Sequence, residues 1–221
     1  MEKRKLIIGT YDTALIGLWT LREWSLSPAE LVEEYAAVPG HSGPLDLSTV
    51  LTDGEPCYGS RTFSAILESS EGTRLERKAR IDQMVNWLDG WKQNITLPDD
   101  ALHYIVGRIR VTELYNDPAH ASVQVTAVCE PWKYNISETV VGVTATETEQ
   151  TVALINNGRL PVAPTITVAG GTVNLAFGES SWALGAGVYV LPDIYLRGGS
   201  YPLRYSGTGT VLLTYREAVL S

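Results

Sequence analysis

The sequence predicts a mainly β protein of two domains with one α-helix, on three observations. Only the stretch from Thr73 to Gly90 places apolar residues at helical spacing between start and stop signals. Beyond residue 135, short β-branched runs recur every eight to twelve residues between glycine turns. Charge also falls across that point: residues 1–135 hold 32 charged side chains (13 basic, 19 acidic) and residues 136–221 only 10 (4 basic, 6 acidic). The expected domains are therefore 1–135 and 136–221, joined just after Pro131-Trp132-Lys133-Tyr134-Asn135.

In the first half, Thr73-Arg74-Leu75-Glu76 fits a capping box, in which the threonine hydroxyl and glutamate carboxylate satisfy backbone N–H groups. Ile81, Met84, Val85 and Leu88 follow as one apolar stripe, and Gly90 stands where a left-handed residue ends a helix. Glu76, Arg77, Lys78 and Arg80 are expected on the solvated face. Arg61 to Ser69 reads as a strand with Phe63, Ala65 and Leu67 on one face. Tyr104–Tyr115 and Ala119–Cys129 flank the turn former Asn116-Asp117-Pro118, giving a long antiparallel hairpin. Thr10 to Leu26 and Leu45 to Ser48 add shorter strands or an extended arm.

In the second half, strands are expected at 139–146, 150–155, 164–169, 172–177, 187–191, 200–205 and 210–215. Asn156-Asn157-Gly158, Gly170-Gly171, Gly198-Gly199 and Gly207-Thr208-Gly209 supply turns. That pattern describes a sandwich or jelly roll.

Composition narrows the function. A net charge of -8 argues against a nucleic-acid phosphate backbone as partner, since that contact needs clustered Lys and Arg. Leu6 to Ile8 is far short of a signal-peptide core, and no stretch approaches the ~18 apolar residues of a membrane span, so folding in a cytosol with no membrane partner is expected. Cys57 and Cys129 read as two buried free thiols. His41, His103 and His120 show no metal-ligand spacing, no nucleophile motif is present, and no cofactor is expected.

Acid pairs Asp53/Glu55 and Asp99/Asp100 could be offered for wall hydrolysis, but both sit in turn-forming segments where aspartate caps the backbone. A non-enzyme is expected. Six Trp and eleven Tyr against two Phe favour rings with a polar edge. Trp182, Tyr189, Tyr195 and Tyr201 are the candidates for a sugar- or partner-facing surface, and a stand-alone carbohydrate-binding module is the alternative function they motivate.

The motifs, taken in order, resemble siphophage and prophage distal tail proteins. The resemblance runs through Leu6-Ile7-Ile8-Gly9, then Val38-Pro39-Gly40-His41-Ser42-Gly43-Pro44-Leu45-Asp46-Leu47-Ser48, then Gly54-Glu55-Pro56-Cys57-Tyr58 and Arg61. It continues with a charged helix ending Leu88-Asp89-Gly90, a Pro98-Asp99-Asp100 turn, Gly107-Arg108, and Cys129 to Tyr134. In the second half it rests on Asn157-Gly158 followed by Pro164-Thr165-Ile166-Thr167-Val168. One departure is the loop: the family usually reads Pro-Gly-Arg-Asp-Gly where this chain has Pro39-Gly40-His41-Ser42-Gly43.

The resemblance implies a ring-forming hub domain, a β-sandwich or barrel-like body, followed by a galectin-like or jelly-roll sandwich. It implies a homo-oligomeric ring, typically of six copies, in the virion tail tip. The tail tube protein would lie on one side and a tail-associated hub or lysin on the other, with receptor-binding proteins on the outward second domain. Pro39, Gly40, His41, Ser42 and Gly43 and the hairpin tip Tyr115, Asn116 and Asp117 are the oligomer-interface candidates.

Overall fold

The computed structural model describes residues 4–40, 42–52 and 54–220; His41 and Asp53 lie outside the described residues. Strands make up 53% of the chain and helices 9%, so the fold is mainly β. It divides into two compact units, one ending at Lys133 and one running from Tyr134 to Leu220.

The first unit contains β1 (Ile7–Ile8), β2 (Tyr11–Asp12), α1 (Thr13–Ile16), β3 (Thr20–Leu26), β4 (Tyr35–Ala36), β5 (Leu45–Asp46), β6 (Arg61–Ser69), α2 (Arg74–Leu88), β7 (Lys92–Thr96), β8 (His103–Asn116) and β9 (Ala121–Asn135). Seven of these strands form a curled half-barrel sheet in the order β2-β1-β7-β8-β9-β6-β3. Period-2 alternation decides which face is core. β6 pairs Phe63, Ala65 and Leu67 with Ala127, Val125 and Val123 of β9, and all six are buried. On this face α2 lays Ile81, Met84 and Leu88, each buried and each contributing about 1.5–3 kcal/mol.

Both bonds of the capping box are present. Thr73 N–H donates to Glu76 Oε2 at 2.7 Å and Glu76 N–H donates to Thr73 Oγ1 at 3.3 Å. Gly90 takes φ +80° just past the helix, the region that costs an L side chain most. A different glycine, Gly107, makes room for the core: a Cβ there would lie 2.4 Å from Cys129 Sγ.

Arg77 departs from expectation. It is buried, not solvated, and its guanidinium donates to three carbonyls: Gly72 O at 2.5 Å, Asp117 O at 2.7 Å and Pro118 O at 3.0 Å. The helix is thereby tied to the turn between β8 and β9 through the two terminal nitrogens, while Nε is buried without a hydrogen-bond partner. The stretch from Thr10 to Leu26 holds the short strands β2 and β3, with an unexpected one-turn helix between them. Asp12 Oδ1 caps that helix, accepting from Ala14 N at 3.0 Å and Leu15 N at 3.2 Å. Cys129 is buried, but Cys57 is exposed, which corrects the reading of two buried thiols.

The second unit holds β10 (Thr139–Ala145), β11 (Gln150–Asn156), β12 (Thr165–Ala169), β13 (Val173–Phe177), β14 (Ser180–Leu184), β15 (Gly187–Val190), β16 (Gly199–Gly207), β17 (Gly209–Tyr215) and β18 (Ala218–Val219). Two four-stranded antiparallel sheets, β10-β17-β12-β15 and β11-β16-β13-β14, share one core. Leu154, Leu175 and Leu203 fill it from one sheet, and Ile166, Val211 and Leu213 from the other. Tyr215 links the sheets, donating its hydroxyl to Ile155 O at 2.6 Å. β14 was not expected; its Ser-Ser opening lacks the β-branched signature. Pro202 is tolerated inside β16 because β13 pairs only with residues 204–207, leaving Pro202 one neighbouring strand.

On the outward face of β10-β17-β12-β15, the central row reads Gly142, Leu212, Thr167, Val188. The next row reads Val140, Thr214, Thr165, Val190. Among the described residues no helix is long and apolar enough to cross a membrane.

Replacing Arg77 with Met removes the hydrogen bonds to Gly72 O, Asp117 O and Pro118 O and is expected to lower the unfolding free energy by about 1.5–3 kcal/mol in urea titrations. Arg74→Met, at an exposed position one turn away, should change it by less than about 0.5 kcal/mol. Equal small losses would show that the guanidinium does not hold the turn.

Candidate functional site

The structure sets one segment apart from both cores. Residues 27–60 leave β3 and return to β6 as a doubled-back arm. Its root is pinned: Arg61 Nε donates to Ser27 O at 2.6 Å, and Thr62 N–H to Ser27 Oγ at 2.8 Å. The two legs then bond to each other, Val32 N–H to Cys57 O at 2.9 Å and Gly59 N–H to Glu30 O at 2.8 Å. β4 pairs with β5, Tyr35 opposite Asp46, as a separate two-stranded ribbon. Tyr58 packs edge-on against Trp132 of β9, with ring centroids 5.7 Å apart.

Among the described residues of this arm none is buried, and seven large apolar side chains are exposed. Leu51 is 94% exposed, Val50 64% and Tyr35 55%, beside Leu31, Val32, Val38 and Leu45. Scattered single apolar residues need no explanation, but this concentration on one thin ribbon does. The arm is also the seat of the negative charge. It carries Glu30, Glu33, Glu34, Asp46, Asp53 and Glu55 and no Lys or Arg, so six of the net eight negative charges lie within it. A run from Glu23 to Ser60 without a single Lys or Arg was legible in the sequence, and its meaning emerges only beside the exposure.

The loop candidates sit at the end of this arm. Pro39, Gly40, Ser42 and Gly43 are exposed, with Gly40 at φ +83° and Gly43 at φ +92°. His41 lies outside the described residues. The hairpin tip is elsewhere and is engaged internally. Tyr115 hydroxyl donates to Glu68 Oε1 at 3.4 Å, Asn116 Nδ2 donates to Arg74 O at 3.1 Å, and Asp117 O accepts from Arg77. In the sheet β8 is paired with β7 over Tyr104–Arg108 only, and β9 with β6 over Ala121–Cys129, so the outer part of β8 has no second strand beside it. β3, at one end of the sheet order, is a further open edge. The structure thus does not bring the loop and the hairpin tip together as one site.

The second-unit aromatics are likewise not brought together. Trp182 stands opposite the buried Leu175, Tyr201 opposite Leu154, and Tyr189 opposite Ile166. Cross-strand partners share a face, so all three rings point inward and pack half-buried against the core. Phe177 lies 6.0 Å from the Tyr201 ring. Tyr195 alone is exposed. The four do not form one sugar-stacking surface.

Both acids of the Asp99/Asp100 pair have structural partners. Asp99 accepts from Trp24 Nε1 at 3.0 Å and from Arg4 at 3.1 Å. Asp100 accepts from His103 Nδ1 at 2.8 Å and from Leu102 N–H at 3.2 Å, with Lys133 Nζ 3.8 Å away. Burial pushes the Asp100 carboxyl up, but those hydrogen bonds and the nearby cations outweigh it and hold its pKa below the ordinary value. Asp117 is held low mainly by the N–H groups of His120 and Ala119 at the hairpin turn. Burial pushes the Cys129 thiol up to about 11, away from thiolate chemistry. Asp53 of the other acid pair lies outside the described residues. Among the described residues no group of three His, Cys, Asp or Glu side chains is placed to hold a metal.

Because the folded pKa of Asp100 is below its unfolded value, its stabilisation is complete above the unfolded value and is lost as pH falls through the folded one. Urea midpoints measured at neutral pH and at about pH 3 should therefore drop less for Asp100→Asn than for the parent chain. An equal drop in both would remove Asp100 from the acid sensitivity.

No protein-family model and no curated protein sequence matches the chain. Among solved structures it is similar to the SPP1 Dit (gp 19.1) protein, described as a paradigm of hub adsorption apparatus in Gram-positive infecting phages. The likeness covers 96% of this chain and 98% of that one, with a TM-score of 0.67 at 16% sequence identity, so both units share that protein's fold from end to end.

Proposed function

We propose that this chain is a non-enzymatic structural subunit of a phage tail tip, a distal tail protein whose copies associate head to tail into a ring of six. The observation that carries the reading is the arm of residues 27–60. Among the described residues none of its apolar side chains joins the first core. Concentrated exposed apolar side chains of that kind mark a surface that a partner covers. Laid on the next copy, the arm makes a heterologous contact, the type that closes into rings when the rotation allows. The end-to-end likeness to SPP1 Dit, a hub protein by its description, supports the same role.

In this reading the first unit forms the hub ring between the tail tube protein and a tail-associated hub or lysin. The second unit is the outward module that carries receptor-binding proteins. Acidic arm residues such as Glu33 and Glu34 select a neighbour whose contact surface is neutral or basic.

Mass photometry of the parent chain should show a species of about 145 kDa, six copies of a 24.1 kDa chain. Leu31→Asp combined with Tyr35→Ser should reduce it to single copies without moving the melting temperature, since neither side chain is buried. A parent chain that stays single at every concentration, and that antibodies fail to find on tail tips, contradicts the proposal.

A further inference from the structure

Within its paired rows the outward face of β10-β17-β12-β15 contains no charged residue, and the Arg216–Glu138 ion pair, 3.1 Å long, closes its end beyond Val140 and Thr214. Val188 is 68% exposed and Val190 61%, both on the free edge strand β15. Thr210 and Thr214 turn their hydroxyls onto the backbone, donating to Ala169 O at 3.4 Å and Thr165 O at 3.5 Å, so each is satisfied locally and needs no partner across the face. Beside the valine ridge lies a shallow hollow of about 420 Å³, its floor made by Gly142 and Ala169 and its wall by Leu212. The paired rows are therefore uncharged and shaped as a ridge next to a hollow.

We propose that this face docks onto the same face of a second copy of the chain about a two-fold axis. Charge selects the occupant. A surface bearing Lys, Arg, Asp or Glu would lose their hydration here and find no counter-ion, so the partner face must be uncharged as well. The other sheet of the same unit does not qualify, since its outward face carries Arg204. Shape selects the same occupant, because a two-fold axis seats the Val188–Val190 ridge of one copy in the hollow of the other. Two such sheets pack face to face at about 10 Å with their strands roughly 30° apart.

Area sets the strength. Four strands about 4.8 Å apart and up to seven residues long present roughly 400 Å² per copy, half of the ~800 Å² of a stable stand-alone interface. The contact is accordingly weak between two free chains and strong where several copies are held together. It involves the second unit alone and does not depend on the arm.

Sedimentation of the full chain tests it, in the Leu31→Asp/Tyr35→Ser background so that arm-driven assembly is absent. Between micromolar and near-millimolar concentration, the average mass is expected to climb toward twice that of one chain. Adding Val188→Lys and Leu212→Lys should hold it at one chain, with circular dichroism and melting temperature unchanged. Val190→Asp, at the strand edge, gives a second reading should the double lysine variant fold poorly. The proposal is overturned by a flat profile in the background chain, by an equal climb in all variants, or by cross-links from Val188 in particles that reach a different tail protein. The ring reading is judged separately, from the mass of the parent chain.

Discussion

The packing of α2 against the inner face of β6, β8 and β9 governs the rest of the first unit. Ile81, Met84 and Leu88 occupy the ground above Phe63, Ala65, Leu67 and their partners on β9. A helix 15 residues long completes this core, and no described residue of the segment between β3 and β6 belongs to it. The arm lies outside the core. Its root is nonetheless fixed through Ser27, Arg61 and Thr62, so it leaves the sheet from a defined point rather than as a loose tether.

The same economy appears in the polar groups. Arg77 is buried only because three carbonyls from two separate turns converge on it, and Asp117 holds one of those turns by accepting from two backbone N–H groups. The hairpin tip is therefore tied to α2 of its own unit, with Tyr115 and Asp117 still exposed. In the second unit the inward rings of Trp182, Tyr189 and Tyr201 serve packing, and the outward rows are left to small and β-branched residues. Assembly falls to the surfaces these commitments leave free: the arm, the edge of β3 and the uncharged outer sheet face.

Much of this was readable from local chemistry. The capping box and Gly90 bound α2 because both ends depend on residues within a few positions of each other. Alternation at Val123, Val125, Ala127 and Cys129 marks β9 for the same reason. What stayed hidden depends on distant partners. Burial of Arg77 requires carbonyls forty residues away, and a charged side chain on a helix otherwise reads as solvated. The direction of Trp182 depends on its register with Leu175, which a Ser-rich strand does not announce. β4 and β5 are two residues each, too short for any period, so the arm could be suspected only from its charge.

The central claim is that a neighbouring copy covers the apolar side chains of residues 27–60. Hydrogen–deuterium exchange read by mass spectrometry, on dilute single chains and on assembled tail tips, tests it most directly. The account predicts that peptides from the arm exchange quickly in single chains and slow strongly on assembly, while peptides from β6 and β9 are slow in both. Arm peptides that exchange equally fast in the assembled particle would contradict it.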